Sequence, residues 1–308
     1  MATTSGLNTL EFRSQLTNEL DKALVQKSVT SAFLDNSFAS KFVGTKTVFI
    51  PDISFMGLGE YDRAEGFPEG GITVDHKPYE LQQERGRRFY FDREDYDEVG
   101  IAGLSGQIMG EFVRTKVAPE VDAYCLSKLA KIANNNNQTV TGTEANGAYA
   151  ILSDAIKKAQ DAAGYDEELV ALCDSDFYAN LMKTPELTRH INIDEFKKGE
   201  ISTKIRKLDE CWLMPVPASR MKTAFTFLDG VKDTDGAAGG FVATEGAKSV
   251  GCIVLPKKVA KLVKKLEKIR VFNPDTVQQK DAWQFDYRIY YDMFVKNSEV
   301  DTIFAYIR

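Results

Sequence analysis

The sequence predicts an α+β protein organised around one long helix, and three observations carry that prediction. Between Asp95 and Asn137 apolar residues recur in steps of four or five, at Leu104, Ile108, Phe112, Val117, Val121, Cys125 and Leu129, so each falls on nearly the same helical face. From Lys46 to Asp95 the pattern is β-rich but broken by Gly57, Gly59, Gly66, Gly70 and Gly71, with too little apolar material to close a core. The second half alternates helical and strand signals.

The long helix has a legible start and stop. Asp95, Asp97 and Glu98 precede it, where carboxylates accept hydrogen bonds from the first unpaired amides and suit the positive end of the helix dipole. The run Asn134 to Asn137 tolerates left-handed geometry and ends it. Pro119 has no N–H for the carbonyl of Thr115, so the rod kinks there or becomes two helices end to end. About 38 residues at roughly 1.5 Å each give a spine on the order of 55 Å.

Composition bounds the class. A chain of 308 residues with 43% hydrophobic content buries a sizeable core, as one large or two ordinary domains. Its net charge of −6 gives the whole chain no attraction for nucleic acid. Cys125, Cys173, Cys211 and Cys252 are far apart and form no CxxC pair; they read as small buried hydrophobes in a reducing compartment. No signal-peptide pattern opens the chain and no apolar run reaches the roughly 18 residues of a membrane helix, so cytoplasmic synthesis is expected.

At the start, Phe12, Leu16, Leu20 and Leu24 make a narrow amphipathic helix. Lys27 to Phe42, with Phe33, Phe38 and Phe42 among polar residues, reads as an extended arm that lies either along a neighbouring subunit or on its own domain. Next, Thr47 to Pro51, Gly71 to Val74 and Arg87 to Phe91 are β-like, and the simplest arrangement is a long two-stranded excursion with a glycine-rich tip. Such a ribbon is marginal in water and is expected to lie across another molecule; a small β subdomain folded back on the same chain is the alternative.

The succession KTVFIPDISFMGLGEYDRAEGF, a β run, YELQQERGRRFYFDREDYDE and a helix bearing VAPEVDAYCLSKLA resembles the tailed-bacteriophage major capsid proteins of the Hong Kong 97-type shell fold. The matching positions are Arg85, Gly86, Phe89, Asp92, Asp95, Glu98, Pro119, Glu120, Asp122, Ala123 and Tyr124, with Glu84 where relatives often carry Asp. The resemblance implies an N-terminal arm over 1–45, an extended β-hairpin loop over 46–95 that overlaps an adjacent subunit, and a spine helix with the start of a peripheral domain over 96–150. It further implies an axial domain over 151–250 and a return to the peripheral domain, with terminal strands, over 251–308. Candidate inter-subunit contacts are Phe33, Phe38, Phe42, Tyr61, Arg63, Glu84, Arg85, Arg87, Asp92, Asp95 and Glu98.

In the second half, Tyr149, Leu152, Ile156 and Ala159 form one face of a helix ending near Gly164, Leu169 to Leu172 is a buried strand, and Asp174 caps a helix holding Phe177 and Leu181. Arg189 to Ser202 reads as irregular and charged. Trp212 to Met214 is β-like and stopped by Pro215 and Pro217. By resemblance Val216, Pro217, Arg220 and Met221 match a Val-Pro-x-x-Arg-Met turn, and the exposed loop Asp229 to Gly240 sits near a capsomer's symmetry axis. Cys252 to Leu255 is a strand; Pro256 then starts an amphipathic helix with Val259, Leu262, Val263 and Leu266 on one side and six lysines on the other. Trp283 to Asp292 alternates as a half-buried strand, and Val300 to Ile307 closes the sheet.

Catalytic chemistry is not evident. His76 and His190 stand alone, and no GxSxG, Walker loop or GxGxxG occurs. The cluster Asp92, Glu94, Asp95, Asp97 and Glu98 reads as a solvated helix start around Arg93 rather than an acid and base pair or a cation site, so no cofactor or metal is expected. The resemblance raises a Lys77 to Asn273 isopeptide cross-link between copies. It implies a shell of pentamers and hexamers around double-stranded DNA held without tight specific binding, located in the virion capsid and assembled in the host cytoplasm. Scaffolding, portal and decoration proteins are the further partners, with no membrane. The rival readings are an encapsulin-like compartment enclosing a cargo enzyme and a hydrolase using the acidic cluster.

Overall fold

A computed structural model describes residues 28–30, 42–43, 47–61, 63, 66–93, 105–184, 191–198, 201–208, 211–231, 237–257, 259–277 and 279–308. The predicted amphipathic segment Phe12 to Leu24, and Asp95, Glu98, Leu104 and His190, lie outside these residues. The spine is α-helical over Ser105–Phe112, passes through one π-helical turn at Val113–Val117, and is α-helical again over Ala118–Asn135. Pro119 accounts for the turn: the backbone widens by one residue just before it, and the Ala118 N–H bonds to the Val113 carbonyl five residues back. Helical dihedrals persist throughout, so the proline is accommodated without a break.

The step of five between Phe112 and Val117 is the trace of that turn in the sequence. Val117, Val121, Cys125 and Leu129 are buried as expected, but upstream the stripe is carried by Met109 and Val113, whereas Ile108 is 38% exposed. At the C-terminus Asn137 adopts φ 56°, and the Gln138 N–H closes on the Ala133 carbonyl at 2.9 Å.

Strands β1 (Phe42–Val43), β2 (Thr47–Phe55) and β3 (Ile72–Glu80) form one antiparallel sheet, with β2 and β3 paired along their full length. The excursion therefore spans less than the expected 46–95. Strand β4 (Gln83–Asp92) leaves the ribbon and joins another sheet. After β5 (Thr139–Val140) come the helix Glu144–Ala163, which ends at Gly164 with φ 100°, then β6 (Leu169–Asp174) and the helix Ser175–Met182. The Asp174 side chain accepts from the Asp176 amide at the start of that second helix.

Strands β7 (Ile191–Lys198) and β8 (Ile201–Leu208) are an antiparallel hairpin, which corrects the irregular segment expected from Arg189 to Ser202. The charges there masked its alternation. Strand β9 (Cys211–Val216) runs through Pro215 rather than stopping at it, and the small hairpin β10 (Phe225–Phe227) and β11 (Phe241–Ala243) brackets the predicted exposed loop. Then follow β12 (Val250–Pro256), β13 (Ala260–Phe272), β14 (Ala282–Val295) and β15 (Phe304–Ile307).

The lysine-faced helix expected after Pro256 is instead β13, a strand paired with β14 from Ala260 to Phe272. A bulge between Lys264 and Leu266 shifts the alternation by one residue. Leu262 faces the main core while Val263 and Leu266 face a smaller cluster with Val48, Leu81, Tyr290 and Phe294, so both sides of the strand are apolar near its start. Spacings of three and four result, and they imitate a helix.

A mixed sheet ordered β5-β15-β12-β6-β9-β8-β7 separates two cores. Leu169, Ala171, Cys173, Cys211, Cys252 and Val254 pack under the helices Glu144–Ala163 and Ser175–Met182. Their sequence neighbours Val170, Leu172, Trp212, Met214, Ile253 and Leu255 face the spine helix. The sheet β13-β14-β4 packs on the same spine through Phe285, Tyr287, Ile289 and Tyr291, with Tyr287 edge-on to Phe112 at 5.7 Å. Strand β15 thus closes the mixed sheet rather than extending β14. All four cysteines are buried, as the sequence implied.

Candidate functional site

Two features stand apart from ordinary core packing: the ribbon, and a polar hub on the spine helix at which the chain's projecting segments are rooted. Along the ribbon's paired strands and beyond them, apolar side chains face solvent. Leu58 is fully exposed, Phe67 is 85% exposed, and Phe55, Met56, Tyr61, Ile72 and Val74 are also exposed. Within the described tip the Tyr61 ring packs tilted against Phe67, with centroids 4.8 Å apart, and Arg63 is exposed. Apolar surface is thus exposed in quantity on a ribbon too thin to have its own core.

The hub occupies two turns of the spine, Glu120 to Lys128. Asp122 is completely buried and accepts from Ser28 Oγ (2.6 Å), Val29 N (3.0 Å), Thr30 N (3.1 Å) and Thr30 Oγ1 (2.6 Å). Its charge is balanced by Arg220 Nη1 at 2.8 Å. One carboxylate therefore pins the root of the N-terminal segment and the turn after β9.

Asp292, also completely buried, accepts from Tyr124 Oη (2.8 Å), Lys128 Nζ (2.6 Å) and the Gln82 amide (3.1 Å), which ties the point where the chain returns from the ribbon to the spine. Burial first and Asp292 second raise the Tyr124 phenol above the usual tyrosine range. Burial likewise pushes up the Cys125 thiol between the two carboxylates, consistent with an unreactive core residue.

Strand β4 adds a third tie. Arg85 donates to Glu120 at 2.7 Å and to the Gly240 carbonyl at 3.3 Å, and Arg87 reaches the carbonyls of Gly230 (3.2 Å) and Ala237 (3.3 Å) on either side of the 229–240 loop. Gly230 and Gly239 have φ of 70° and 68°, and a β-carbon on Gly230 would meet Arg87 Nη1 at 2.6 Å. The side chains of Glu120, Asp122, Tyr124 and Lys128 thus serve the ribbon return, the N-terminal root and the loop from one stretch of helix.

Of the candidate contact residues, Arg85 and Arg87 engage the same chain in this way, and Glu84 pairs with Arg288 across the sheet. Asp92 is exposed at the end of β4, and Arg93 faces Asp275 and Asp281, each at 3.6 Å, while Glu94, Asp95, Asp97 and Glu98 lie outside the described residues. Phe42 sits in β1 opposite Val48, whereas Phe33 and Phe38 lie outside the described residues. Lys77 lies in β3 and Asn273 just after β13, on different sheets. His76 is exposed on β3. Sequence reasoning missed Asp292 and the Ser28 to Thr30 root. A lone carboxylate inside the run Tyr290, Tyr291, Met293, Phe294 was the available signal for Asp292.

No protein-family model matches the chain, and no curated protein matches it by sequence. Its fold does match solved structures. One from Mycobacterium phage Che8 is 12% identical with a TM-score of 0.56, covering 91% of this chain and 90% of that one. A virus-like particle from Pyrococcus furiosus is 11% identical with a TM-score of 0.54, covering 96% of this chain and 100% of that one. The capsid of Cyanophage P-SCSP1u is 13% identical with a TM-score of 0.53, covering 87% and 85%. The chain has the α+β fold of these structures, the Hong Kong 97-type fold.

Proposed function

We propose that this protein is the major capsid protein of a tailed bacteriophage, self-assembling as pentamers and hexamers into an icosahedral shell that encloses double-stranded DNA. The observation that carries this reading is the β2/β3 ribbon, which presents Leu58, Phe67, Phe55 and Met56 to solvent on a chain whose fold is that of shell structures. On this reading the ribbon overlaps a neighbouring copy, and its exposed apolar area is buried only on assembly, which couples stability to association. The hub fixes where the chain returns from the ribbon, at Gln82, and where Ser28 to Thr30 join the spine. The 229–240 loop, tied to β4 by Arg85 and Arg87, faces the capsomer axis.

The role is structural rather than catalytic, in the virion capsid, with assembly in the host cytoplasm and scaffolding, portal and decoration proteins as partners. A net charge of −6 suits confinement of DNA without tight adhesion. A second reading, a compartment shell around a cargo enzyme, draws on the match that spans the whole virus-like particle chain. Negative-stain electron microscopy of the purified protein, alone and with phage scaffold, tests the proposal. Closed shells of uniform size are expected, and dispersed monomers under every assembly condition would refute it. Absorbance of purified shells separates the two readings: nucleic acid supports the phage head and protein cargo the compartment.

A further inference from the structure

At the far end of the spine lies a cleft of about 680 Å³, bounded by Glu80 and Gln82 at the ribbon return, by the last turns of the helix, and by the turn after β14 that holds Asp301. Oxygen acceptors dominate it. Glu80 and Asp301 are exposed and have no ion-pair partner among the described residues. Lys128, the one cation among the described lining residues, is held by Asp292 at 2.6 Å. Lys77, Lys131 and Lys296 sit on the same elements outside the lining, and Lys296 pairs with Glu299 at 3.6 Å. The helix Ala118–Asn135 ends here with no basic residue in its last turn, so no side chain of that turn answers the negative end of its dipole. Beside the cleft Gln138 is 9% exposed, and its Nε2 donates to Asp301 Oδ1 at 3.5 Å. Its Oε1 and Glu299 Oε2, both buried, meet no donor among the described residues. Acceptors in excess of donors suit a ligand that brings N–H groups and positive charge.

A source of such groups lies at the opposite edge of the mixed sheet. Among the described residues the β7/β8 hairpin pairs with the body only where Arg206 to Leu208 meet Cys211 to Leu213. That pairing stops short of Pro215, which has no N–H to offer. The hairpin runs on to Lys197 and Lys198, opposite Ser202 and Ile201 at its end, whereas Lys204 stands opposite Glu195. Residues 191–208 carry five cations against three carboxylates on a chain of net charge −6. The sheet order sets β5, which follows Gln138, six strand spacings from β7, roughly 29 Å at about 4.8 Å each, so cleft and hairpin belong to opposite edges of one copy. We propose that the cleft receives the end of the β7/β8 hairpin from a second copy, with the Lys197 and Lys198 ammonium groups meeting Glu80 and Asp301. The inference rests on the shell reading and adds a fastening separate from the ribbon. Because it joins opposite edges of successive copies, the contact is head-to-tail and closes into a ring when the rotation per copy permits.

The test uses the full chain and follows assembly by light scattering and electron microscopy. Lys197→Glu with Lys198→Glu is expected to slow assembly about tenfold at low salt, as is Glu80→Lys with Asp301→Lys, each with thermal unfolding of the unassembled subunit unchanged. The variant carrying all four changes is expected to recover most of the wild-type rate. As a direct probe of position, Lys198→Cys with Asp301→Cys, oxidised with diamide in formed shells, is expected to give a ladder of linked copies on non-reducing gels, the four native cysteines being buried. Wild-type kinetics in either charge variant, no recovery in the combined one, or a link confined to single chains would overturn this inference while leaving the shell reading intact. So would slow assembly in the cleft variant alone, which would give the cleft to a cation from another partner. Absence of shells from wild-type protein would overturn both.

Discussion

Asp122→Ala is the substitution with the most calculable consequence. The carboxylate has no solvent exposure, accepts four hydrogen bonds from Ser28, Val29 and Thr30, and faces Arg220 at 2.8 Å. Its removal strands two backbone amides, at about 1–3 kcal/mol for each that finds no new acceptor. It also leaves a guanidinium without its counter-charge, and breaking a buried ion pair costs about 3–5 kcal/mol. Arg220 keeps 19% exposure and can turn toward water, and the freed amides can find water as acceptor, so the loss falls below the plain sum of these costs, at about 3–4 kcal/mol. Asp122→Asn keeps the shape but supplies one acceptor oxygen, and is expected to cost about 1–3 kcal/mol.

Urea unfolding of the unassembled subunit measures the loss. Hydrogen exchange at Val29 and Thr30 locates it, with exchange at least about a hundredfold faster, since each 1.4 kcal/mol is tenfold. An Arg220→Met partner completes a double-mutant cycle, in which the two costs should fall short of additivity by about 1–3 kcal/mol. A loss below about 1 kcal/mol for Asp122→Ala, with exchange at Val29 and Thr30 unchanged, would refute the claim that this carboxylate anchors the N-terminal root.

Tyr124→Phe removes one of the donors on buried Asp292 and should lower stability by about 1–2 kcal/mol in urea unfolding at neutral pH. Because the Tyr124 phenol is raised above the ordinary value near 10, its contribution is complete below that pH and is lost as pH rises through the higher folded value. The wild type should therefore weaken in alkali more steeply than Tyr124→Phe, which pH-dependent urea midpoints would show. Gly86→Ala places a methyl against the Tyr287 carbonyl oxygen at 2.8 Å partway along the edge strand β4, and thermal unfolding should report a loss of about 1–3 kcal/mol. Leu58→Ser with Phe67→Ser, both exposed in the single chain, should leave subunit stability within about 0.5 kcal/mol yet impair assembly as read by light scattering.

What the sequence disclosed follows from how local each signal is. The spine, its asparagine stop, the Gly164 end and the Asp174 cap depend on residues within one or two turns, and all are present. Pro119 predicts a kink or two helices end to end, but whether the helix bends, breaks or widens into a π turn depends on packing along both halves, at Met109, Val113 and Val121.

The failures share a cause. In β13 a bulge and two apolar faces erased the period-2 pattern, and in β7 and β8 charges hid it, because strand identity is decided by partners far away in sequence. The ribbon's exposed character was legible from its lack of core material. The hub was only half legible: Glu120, Asp122 and Tyr124 belonged to the matched motif, but the Gln82 amide meets Asp292 across 210 positions of sequence, and no local pattern reports such a pairing.

The most direct measurement is a cryo-electron microscopy reconstruction of the assembled particle at a resolution that traces the ribbon. The account predicts closed shells in which Thr47–Glu80 of each copy lies across an adjacent copy, with Leu58 and Phe67 covered by that neighbour. A particle in which this ribbon folds back on its own subunit and touches no other copy would contradict it.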